Sequence, residues 1–470
     1  MGANRSASVA GLAPGALRSR LSSPNWLAAL RSVWARTHVR WLTGILVVAL
    51  LLRVFWVVAV QPDPRDGRFD DTVWYYSTAS HLAAGDGYVF PGDTFCRFGD
   101  SIGCDELPPT ALWAPGYSLT LAALFRLPGD DVAAARALNV AAGLVLLVSV
   151  YYLGSRLWST RAGLLAAGIM ALFPSHIFFA SLVLTESLFA AMAVGLLALA
   201  LAWTMQSEVA PWKLVGLGLA AGALAMVRPE GVVFVAVIVL AWLAVHRSWR
   251  LVARYAALLL VGMAVLIVPW SVRNAIQLDA PVLGTTGLGQ VLVQAHHPDA
   301  DGFPEFWIAS ELWNRFAAVP LPEREVRINN TGIRESLTYA IDHPGRELAL
   351  IPQRLAAFYR GDRGGVVWNQ VQDGDGRRAL STAWANGWGV VSDTYYYLVI
   401  GIGLVTLPFW LRRARRQHVL LAGPLLAYSA MWAFLFVGES RYHFALLPIF
   451  ALVAAIGLAA LSQRWASERD

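Results

Sequence analysis

Charge is scarce in this chain. Of its 470 residues, 14% are Asp, Glu, Lys or Arg, and 57% are hydrophobic. Soluble globular domains are charged at roughly a quarter of their positions, so this class is excluded. Lysine is nearly absent, with Lys213 as the single example, and the net charge of +6 comes from arginine. The arginines cluster at the ends of apolar runs, so the basic balance does not indicate nucleic-acid binding.

Cysteine is also scarce, with only Cys96 and Cys104 present. No second Cys/His pair with ligand spacing accompanies them, so a zinc site is not expected. Both fall in a segment that the topology below assigns to the outer face, where an oxidising compartment would let them pair. We therefore expect a disulfide, with two free thiols as the alternative.

Long apolar runs are abundant, and runs of about 18 residues or more can cross a hydrocarbon core of roughly 30 Å. They predict an all-α polytopic membrane protein with about ten transmembrane helices. The predicted spans are residues 41–60, 134–154, 161–175, 182–204, 212–227, 230–246, 251–270, 393–411, 418–437 and 443–462. The third and fifth are short enough to be re-entrant. One transmembrane domain would therefore fill residues 41–470.

The arginines orient this topology. The charge-dense short loops, such as those around Arg156, Arg247 and Arg412, all fall on one side, which the positive-inside rule assigns to the cytoplasm. Residues 1–40 lack a signal-peptide pattern and are predicted to be a cytoplasmic tail. Two long loops, at about 61–133 and 271–392, are then external and carry interfacial helices. The preference for arginine over lysine, with the alanine and glycine content, is typical of a GC-rich bacterial genome, so we expect the membrane to be a bacterial plasma membrane.

The stretch GRFDDTVWYY, residues 67–76, pairs two carboxylates with three aromatic residues beside the first span. If a helix begins near Phe69, Asp71 and Tyr75 lie one turn apart on one face. The plain interpretation of Asp70 and Asp71 is favourable charge in a first helical turn. The alternative is that partial desolvation makes one of them a general base.

Glu186, in LVLTESLF, lies near the outer end of the fourth span among apolar residues. An ionisable group there is costly unless it faces a cavity or a partner, so it is a candidate functional residue. The alternative is a glutamate that reaches the membrane surface.

Three arginines break the positive-inside pattern: Arg228, Arg273 and Arg441. Arginine matches phosphate bidentately, so together they favour a phosphate-bearing substrate at the outer face. Headgroup contacts, or pairing with Glu230 and Glu439, would also explain them. His443 could join them as a substrate contact.

Several further stretches of the sequence, which together cover most of residues 41–460, occur in the order found in a known superfamily. They are FDDTVWYYSTASHLAAGDGYVF, APGYSL, ARALNVAAGLVLLVSVYYLGSRLW, FPSHIFFASLVLTES, VRPEG, SVRNAIQLDAPV and RYHFALLPIF. Their order and spacing resemble the GT-C superfamily of integral-membrane glycosyltransferases, closest to protein O-mannosyltransferases and lipid A aminoarabinose transferases.

The resemblance implies an inverting transferase that uses a polyprenyl-monophosphate sugar and a first-loop acid as catalytic base. Carried over by motif, the base is Asp71 or Asp70, and Glu186 orients the acceptor or the base. Tyr75, Arg228, Arg273, Arg441 and His443 would bind the substrate. The acceptor would be a glycan, lipid or protein of the cell envelope. No cofactor is predicted, although some superfamily members use a divalent metal.

Three other functions compete with this interpretation. A transporter or flippase for polyprenyl-linked glycans would need acidic residues near the bilayer midplane and an inverted repeat, and the sequence has neither. A ligase with a lipid-diphosphate donor would not need the first-loop acid pair. A non-catalytic assembly subunit would tolerate loss of Asp71 and Glu186.

Overall fold

The computed structural model describes residues 37–65, 71–92, 107–206, 208–370 and 379–467. Across these ranges the chain is helical, apart from turns, loops and one isolated bridge between Val89 and Pro109. In chain order the helices are α1 (Thr37–Ala59), α2 (Asp71–Ala84), α3 (Gly116–Phe125), α4 (Asp131–Leu157), α5 (Thr160–Ala171), α6 (Pro174–Phe178), α7 (Glu186–Thr204), α8 (Pro211–Val227), α9 (Val232–His246), α10 (Trp249–Gln277), α11 (Leu288–Ala295), α12 (Phe306–Arg315), α13 (Glu323–Asp342), α14 (Pro344–Phe358), α15 (Gly364–Trp368), α16 (Thr382–Leu411), α17 (Val419–Leu435) and α18 (Leu447–Ser467).

Every predicted apolar run contains a helix, so the all-α polytopic fold is confirmed. In the described ranges, eight helical segments are long and apolar enough to cross a membrane. A ninth span would be formed by α5 together with the helical segment Pro174–Ser181, and the two are bent by 60° relative to each other. The remaining run is α8, an apolar helix of 17 residues. The third and fifth predicted spans are thus the two that depart from a straight, full-length helix.

Some boundaries differ from the predicted ones. Helix α16 begins at Thr382 rather than at residue 393, and α10 continues to Gln277 rather than ending at 270. Both helices extend past their most apolar residues, because backbone hydrogen bonding continues where hydropathy falls. The second external segment therefore shortens to residues 278–381, and it carries α11 to α15.

The spans are layered around α18. Within their most apolar stretches, 83% of the residues in the α18 segment are buried, against 17% in α1. Helix α18 is therefore the central helix of the bundle, while α1 lies at its edge. The first external segment contributes α2 and α3, whose apolar residues Trp74 and Tyr117 are buried in the protein.

Glycine allows α8 and α10 to pack closely. A methyl group added at Gly222 would lie 3.1 Å from Met263, and one added at Gly218 would overlap the carbonyl group of Leu259. Small residues at such crossings let helix backbones approach in a membrane, where van der Waals contact drives association.

A buried arginine fixes the peripheral helix α1. Arg53 has no exposed surface, and its Nη1 donates to the carbonyl oxygens of Ala49 at 3.2 Å and Ala171 at 3.4 Å. Ala171 is the last residue of α5, where carbonyl groups lack helical partners and a positive charge is favoured. Arg53 therefore ties α1 to the point where α5 breaks and α6 begins.

Two charged residues hold the first external segment in place. Arg273, on α10, donates to the carbonyl oxygens of Tyr88 and Thr110, both at 2.6 Å. Glu325, on α13, accepts from the Thr110 hydroxyl at 2.6 Å and from the Ala111 amide at 2.9 Å. Glu325 is 1% exposed, and burial raises the pKa of its carboxyl group to about 7.

This contact should make stability depend on pH. The folded-state pKa of Glu325 lies above its unfolded value, so its contribution is complete below about pH 4.5 and is lost as pH rises towards 7. Glu325→Gln mimics the protonated form and should remove this loss. Melting in detergent should place the variant above wild type at pH 8, with the difference shrinking at pH 5.

The matched control is Glu323→Gln on the same helix. Glu323 is 57% exposed and pairs with Arg327. The Glu323→Gln substitution should shift the melting temperature equally at pH 5 and pH 8. A Glu325→Gln variant with the same pH dependence as wild type would contradict this account.

Candidate active site

Four chain segments bring charged groups together at one end of the bundle. Asp71 is the first residue of α2, and Glu186 is the first residue of α7. Arg228 follows α8 directly, and Arg441 lies in the 3-10 segment Ser440–Leu446 that leads into α18. Each group therefore stands at a helix end, where the chain turns and side chains can converge.

Arg441 connects the two predicted acids. Its Nη1 forms an ion pair with Asp71 Oδ2 at 2.7 Å and lies 3.9 Å from Glu186 Oε1. Its Nε is 3.2 Å from Glu439 Oε1. The guanidinium lies 4.7 Å over the ring of Trp368 on α15, which adds a cation–π contact. One side chain thus joins the first external segment to the second, and both to the membrane bundle.

Glu186 does not reach the surface, because its side chain is 3% exposed. Arg228 Nη1 donates to Glu186 Oε1 at 3.2 Å and to the Thr185 hydroxyl at 3.1 Å. The same arginine pairs through Nε with Glu230. The carboxylate is therefore buried and paired, as an ionisable group within a membrane bundle has to be.

Tyr75 lies one turn after Asp71, as the helical spacing predicts. Its ring meets that of Tyr117 edge-on, with centroids 5.3 Å apart. Burial, with a further contribution from the negative charge of Asp71, raises the pKa of the Tyr75 hydroxyl well above its usual value. Tyr75 is therefore a neutral wall of the site that can donate a hydrogen bond.

Negative charge exceeds positive charge in this cluster. Four carboxylates share two guanidinium groups, so two negative charges are left when every group is ionised. The members are Asp71, Glu186, Glu230, Glu439, Arg228 and Arg441. The site thus combines carboxylates, which can accept a proton, with guanidinium groups, which can bind an anion. Among the described residues, no group of three or more His, Cys, Asp or Glu side chains could hold a metal ion.

Two predicted substrate contacts lie elsewhere. Arg273 donates to backbone carbonyls of the first external segment, as described above. His443 has no exposed surface and faces Asp362 Oδ1 at 3.6 Å. Asp70, Cys96 and Cys104 lie outside the described residues, so the choice between Asp70 and Asp71 and the disulfide both stay predictions.

Sequence reasoning missed Trp368 and Asp362. Trp368 lies in a short helix within RGGVVW, which has no periodic pattern, and Asp362 precedes it in a glycine-rich turn. Only the tertiary fold brings this segment against Arg441 and His443. The pairing of Arg228 with Glu230 and of Arg441 with Glu439 could be anticipated from their spacing of two residues.

Comparison with known proteins agrees with this architecture. The model of the dolichyl-phosphate-mannose-protein mannosyltransferase family matches residues 110–272, a range that includes Glu186 and Arg228. The chain resembles the GT-C membrane glycosyltransferases. No curated protein sequence has a significant match to it.

Solved structures with the GT-C fold align over most of the chain. The oligosaccharyltransferase AglB from Archaeoglobus fulgidus, in complex with an inhibitory peptide and a dolichol-phosphate, aligns with 91% of this chain at 14% identity and a TM-score of 0.50. The apo form of the Archaeoglobus enzyme aligns with 92% of this chain at 13% identity and a TM-score of 0.52. This chain spans about half the length of those proteins, covering 51% of each. ArnT from Cupriavidus metallidurans, bound to undecaprenyl phosphate, aligns over 90% of this chain and 78% of its own, at 17% identity and a TM-score of 0.41.

The buried pair of Arg228 and Glu186 gives a stability prediction. Arg228→Met would leave a buried carboxylate without its nearest cation, which typically costs about 3–5 kcal/mol. The melting temperature in detergent should fall clearly. Adding Glu186→Gln to this variant should restore part of the loss, because the uncompensated charge is then gone.

Arg315→Met provides the matched control. It breaks an ion pair with Glu335 of 2.9 Å in which both side chains are exposed, and such pairs contribute at most about 1 kcal/mol. If Arg228→Met lowered the melting temperature no more than Arg315→Met does, the buried pair would not contribute the stability proposed for it.

Proposed function

We propose that the protein is a glycosyltransferase that moves a sugar from a polyprenyl-monophosphate donor to an acceptor outside the cytoplasm, with inversion. The observation that carries the proposal is the contact of Arg441 with both Asp71 and Glu186. It joins a candidate base, a second acid and a phosphate-binding type of side chain at one site. The fold shared with AglB, a structure that contains a dolichol-phosphate, supports a lipid-phosphate donor.

The external placement follows from charge. The cluster lies where α1 and α8 end and where α7 begins, whereas the basic residues Arg156, Arg247 and Arg412 lie at the opposite helix ends. The positive-inside rule assigns these basic ends to the cytoplasm. A lipid-linked sugar would then meet the cluster from the outer leaflet of the plasma membrane.

The proposed chemistry is a single displacement. Asp71 takes the proton of the acceptor hydroxyl as that oxygen attacks the anomeric carbon. The bond from this carbon to the phosphate oxygen breaks, and its electron pair leaves with the polyprenyl phosphate. Arg228 and Arg441 stabilise the negative charge that grows on the departing phosphate, which is the contribution most enzymes of this type depend on. Glu186 orients Arg441 and the acceptor.

Arg441 would contact two anions in succession, first Asp71 and then the donor phosphate. In the structure it forms an ion pair with Asp71. When the donor phosphate arrives, a second anion competes for the same guanidinium. Transfer of Arg441 towards the phosphate would free Asp71 to accept a proton only when the donor is bound.

Loss of the base should abolish transfer. Purified protein in nanodiscs would receive a panel of polyprenyl-monophosphate sugars with envelope acceptors, and release of polyprenyl phosphate would be followed. Asp71→Asn should reduce the rate by on the order of 100-fold or more while the protein stays folded, because general-base contributions are typically of this size. Asp131→Asn, which changes another first-turn aspartate, should keep full activity.

Asp70→Asn distinguishes the two neighbouring acids. If it alone is inactive, the base moves by one residue and the transferase proposal survives. If no donor turns over with wild type and Asp71→Asn still complements a deletion strain, the catalytic proposal fails. Transport or assembly would then be the better explanation.

Transfer should also continue in the presence of a chelator. Two guanidinium groups can meet the phosphate charge directly, so no divalent ion is required at that step. The same assay run with excess EDTA should keep its rate. Activity that disappears with EDTA and returns with manganese or magnesium would contradict this prediction.

A further inference from the structure

A second buried acid–base pair lies beside the candidate site. Asp362 is 2% exposed and His443 is fully buried, with His443 Nε2 3.6 Å from Asp362 Oδ1. His443 follows Arg441 by two residues in the same 3-10 segment, Ser440–Leu446. Asp362 stands two residues before α15, the helix whose Trp368 underlies the Arg441 guanidinium.

One hydrogen bond fixes the position of a hydrogen on the His443 ring. His443 Nδ1 lies 2.6 Å from the carbonyl oxygen of Phe358, which can only accept, so Nδ1 carries a hydrogen. In a neutral ring Nε2 then presents a lone pair towards the Asp362 carboxylate, which is repulsive. The contact is favourable only when the pair holds one more proton, on Nε2 or on the carboxyl group.

The surroundings hold the ring of His443 and the backbone of Asp362. The His443 ring stacks on Tyr396, with centroids 4.8 Å apart. The Asp362 amide donates to Asp393 at 2.8 Å, and the Ser392 hydroxyl donates to the Asp362 carbonyl at 2.6 Å. Helix α16, which carries Ser392, Asp393 and Tyr396, thereby fixes the pair from one side.

The backbone next to the pair touches Arg441 itself. A methyl group added at Gly364 would lie 3.3 Å from Arg441 Cβ, so α15 and the arginine segment are in close contact. Trp368 thus packs against the guanidinium of Arg441, and His443 anchors the backbone segment to which Arg441 belongs.

We propose that Asp362 and His443 are a positioning pair, which fixes the segment Ser440–Leu446 so that Arg441 meets Asp71. The catalytic part of this inference rests on the proposed function, and the positioning part does not. Because the pair acts through Arg441, its loss should affect turnover more than donor affinity.

Two substitutions at Asp362 separate the roles of hydrogen bonding and of the carboxylate. Asp362→Ala leaves Nε2 of a buried ring without a partner. Asp362→Asn can donate its side-chain N–H to the Nε2 lone pair, so it restores the contact without the extra proton. His443→Gln is a second disrupting variant, which replaces Asp362→Ala if that variant does not fold. Glu335→Ala, which removes an exposed carboxylate from α13, is the matched control.

Amide hydrogen exchange tests the positioning without any substrate. In Asp362→Ala, exchange across residues 438–446 should accelerate at least about fivefold, the effect expected when a buried polar group loses its partner. Peptides from α4 and α10 should not change. Asp362→Asn and Glu335→Ala should match wild type. Equal acceleration in every span, or none in residues 438–446, would overturn the proposal.

The transfer assay tests the consequence for catalysis. In Asp362→Ala, kcat should fall on the order of 10- to 100-fold, as expected when a catalytic group is misplaced by about 1 Å, while KM for the donor stays within about threefold. Asp362→Asn should recover most of kcat. A rise in KM with unchanged kcat, or no recovery of kcat in Asp362→Asn, would overturn the catalytic part. If wild type turns over no donor, the proposed function fails, and the exchange experiment still decides whether the pair positions the segment.

Discussion

The interaction on which the rest of this site depends is the ion pair between Arg441 and Asp71, at 2.7 Å. Its two residues are far apart in the chain, and the bond exists only because α2 and the segment before α18 meet at the same end of the bundle. Arg441 is 11% exposed and Asp71 30% exposed, so the pair is partly shielded from water. Charges in such a place have to be compensated, and this requirement draws Glu186 and Arg228 into the same network.

The external segments provide the support for this network. Arg273 and Glu325 hold the first segment near α3, while α15 places Trp368 beneath Arg441. The central helix α18 and the peripheral helix α1 set the frame to which these segments attach. A rigid frame keeps the backbone that carries these charges in place, so that they are already near the phosphate when its negative charge develops.

Much of the fold was predictable, and the site only in part. Apolar runs located every span, because a membrane helix must be apolar where it crosses the hydrocarbon core. The bend after α5 was signalled only by a short run. Asp71, Glu186, Arg228 and Arg441 were each recognisable because charge is costly beside a membrane, but that rule also selected Arg273, which instead binds backbone carbonyls. Asp362 could not be found, since it lies in a polar loop where a carboxylate needs no explanation.

The most direct test of the account is a structure of the protein with polyprenyl phosphate bound, solved by cryo-electron microscopy in nanodiscs. We expect the phosphate within about 3 Å of a guanidinium nitrogen of Arg228 or Arg441, the usual length of such charge-assisted bonds. The contact of Arg441 with Asp71 should lengthen at the same time. A phosphate bound away from both arginines, with that ion pair intact, would contradict the assignment of this cluster as the transfer site.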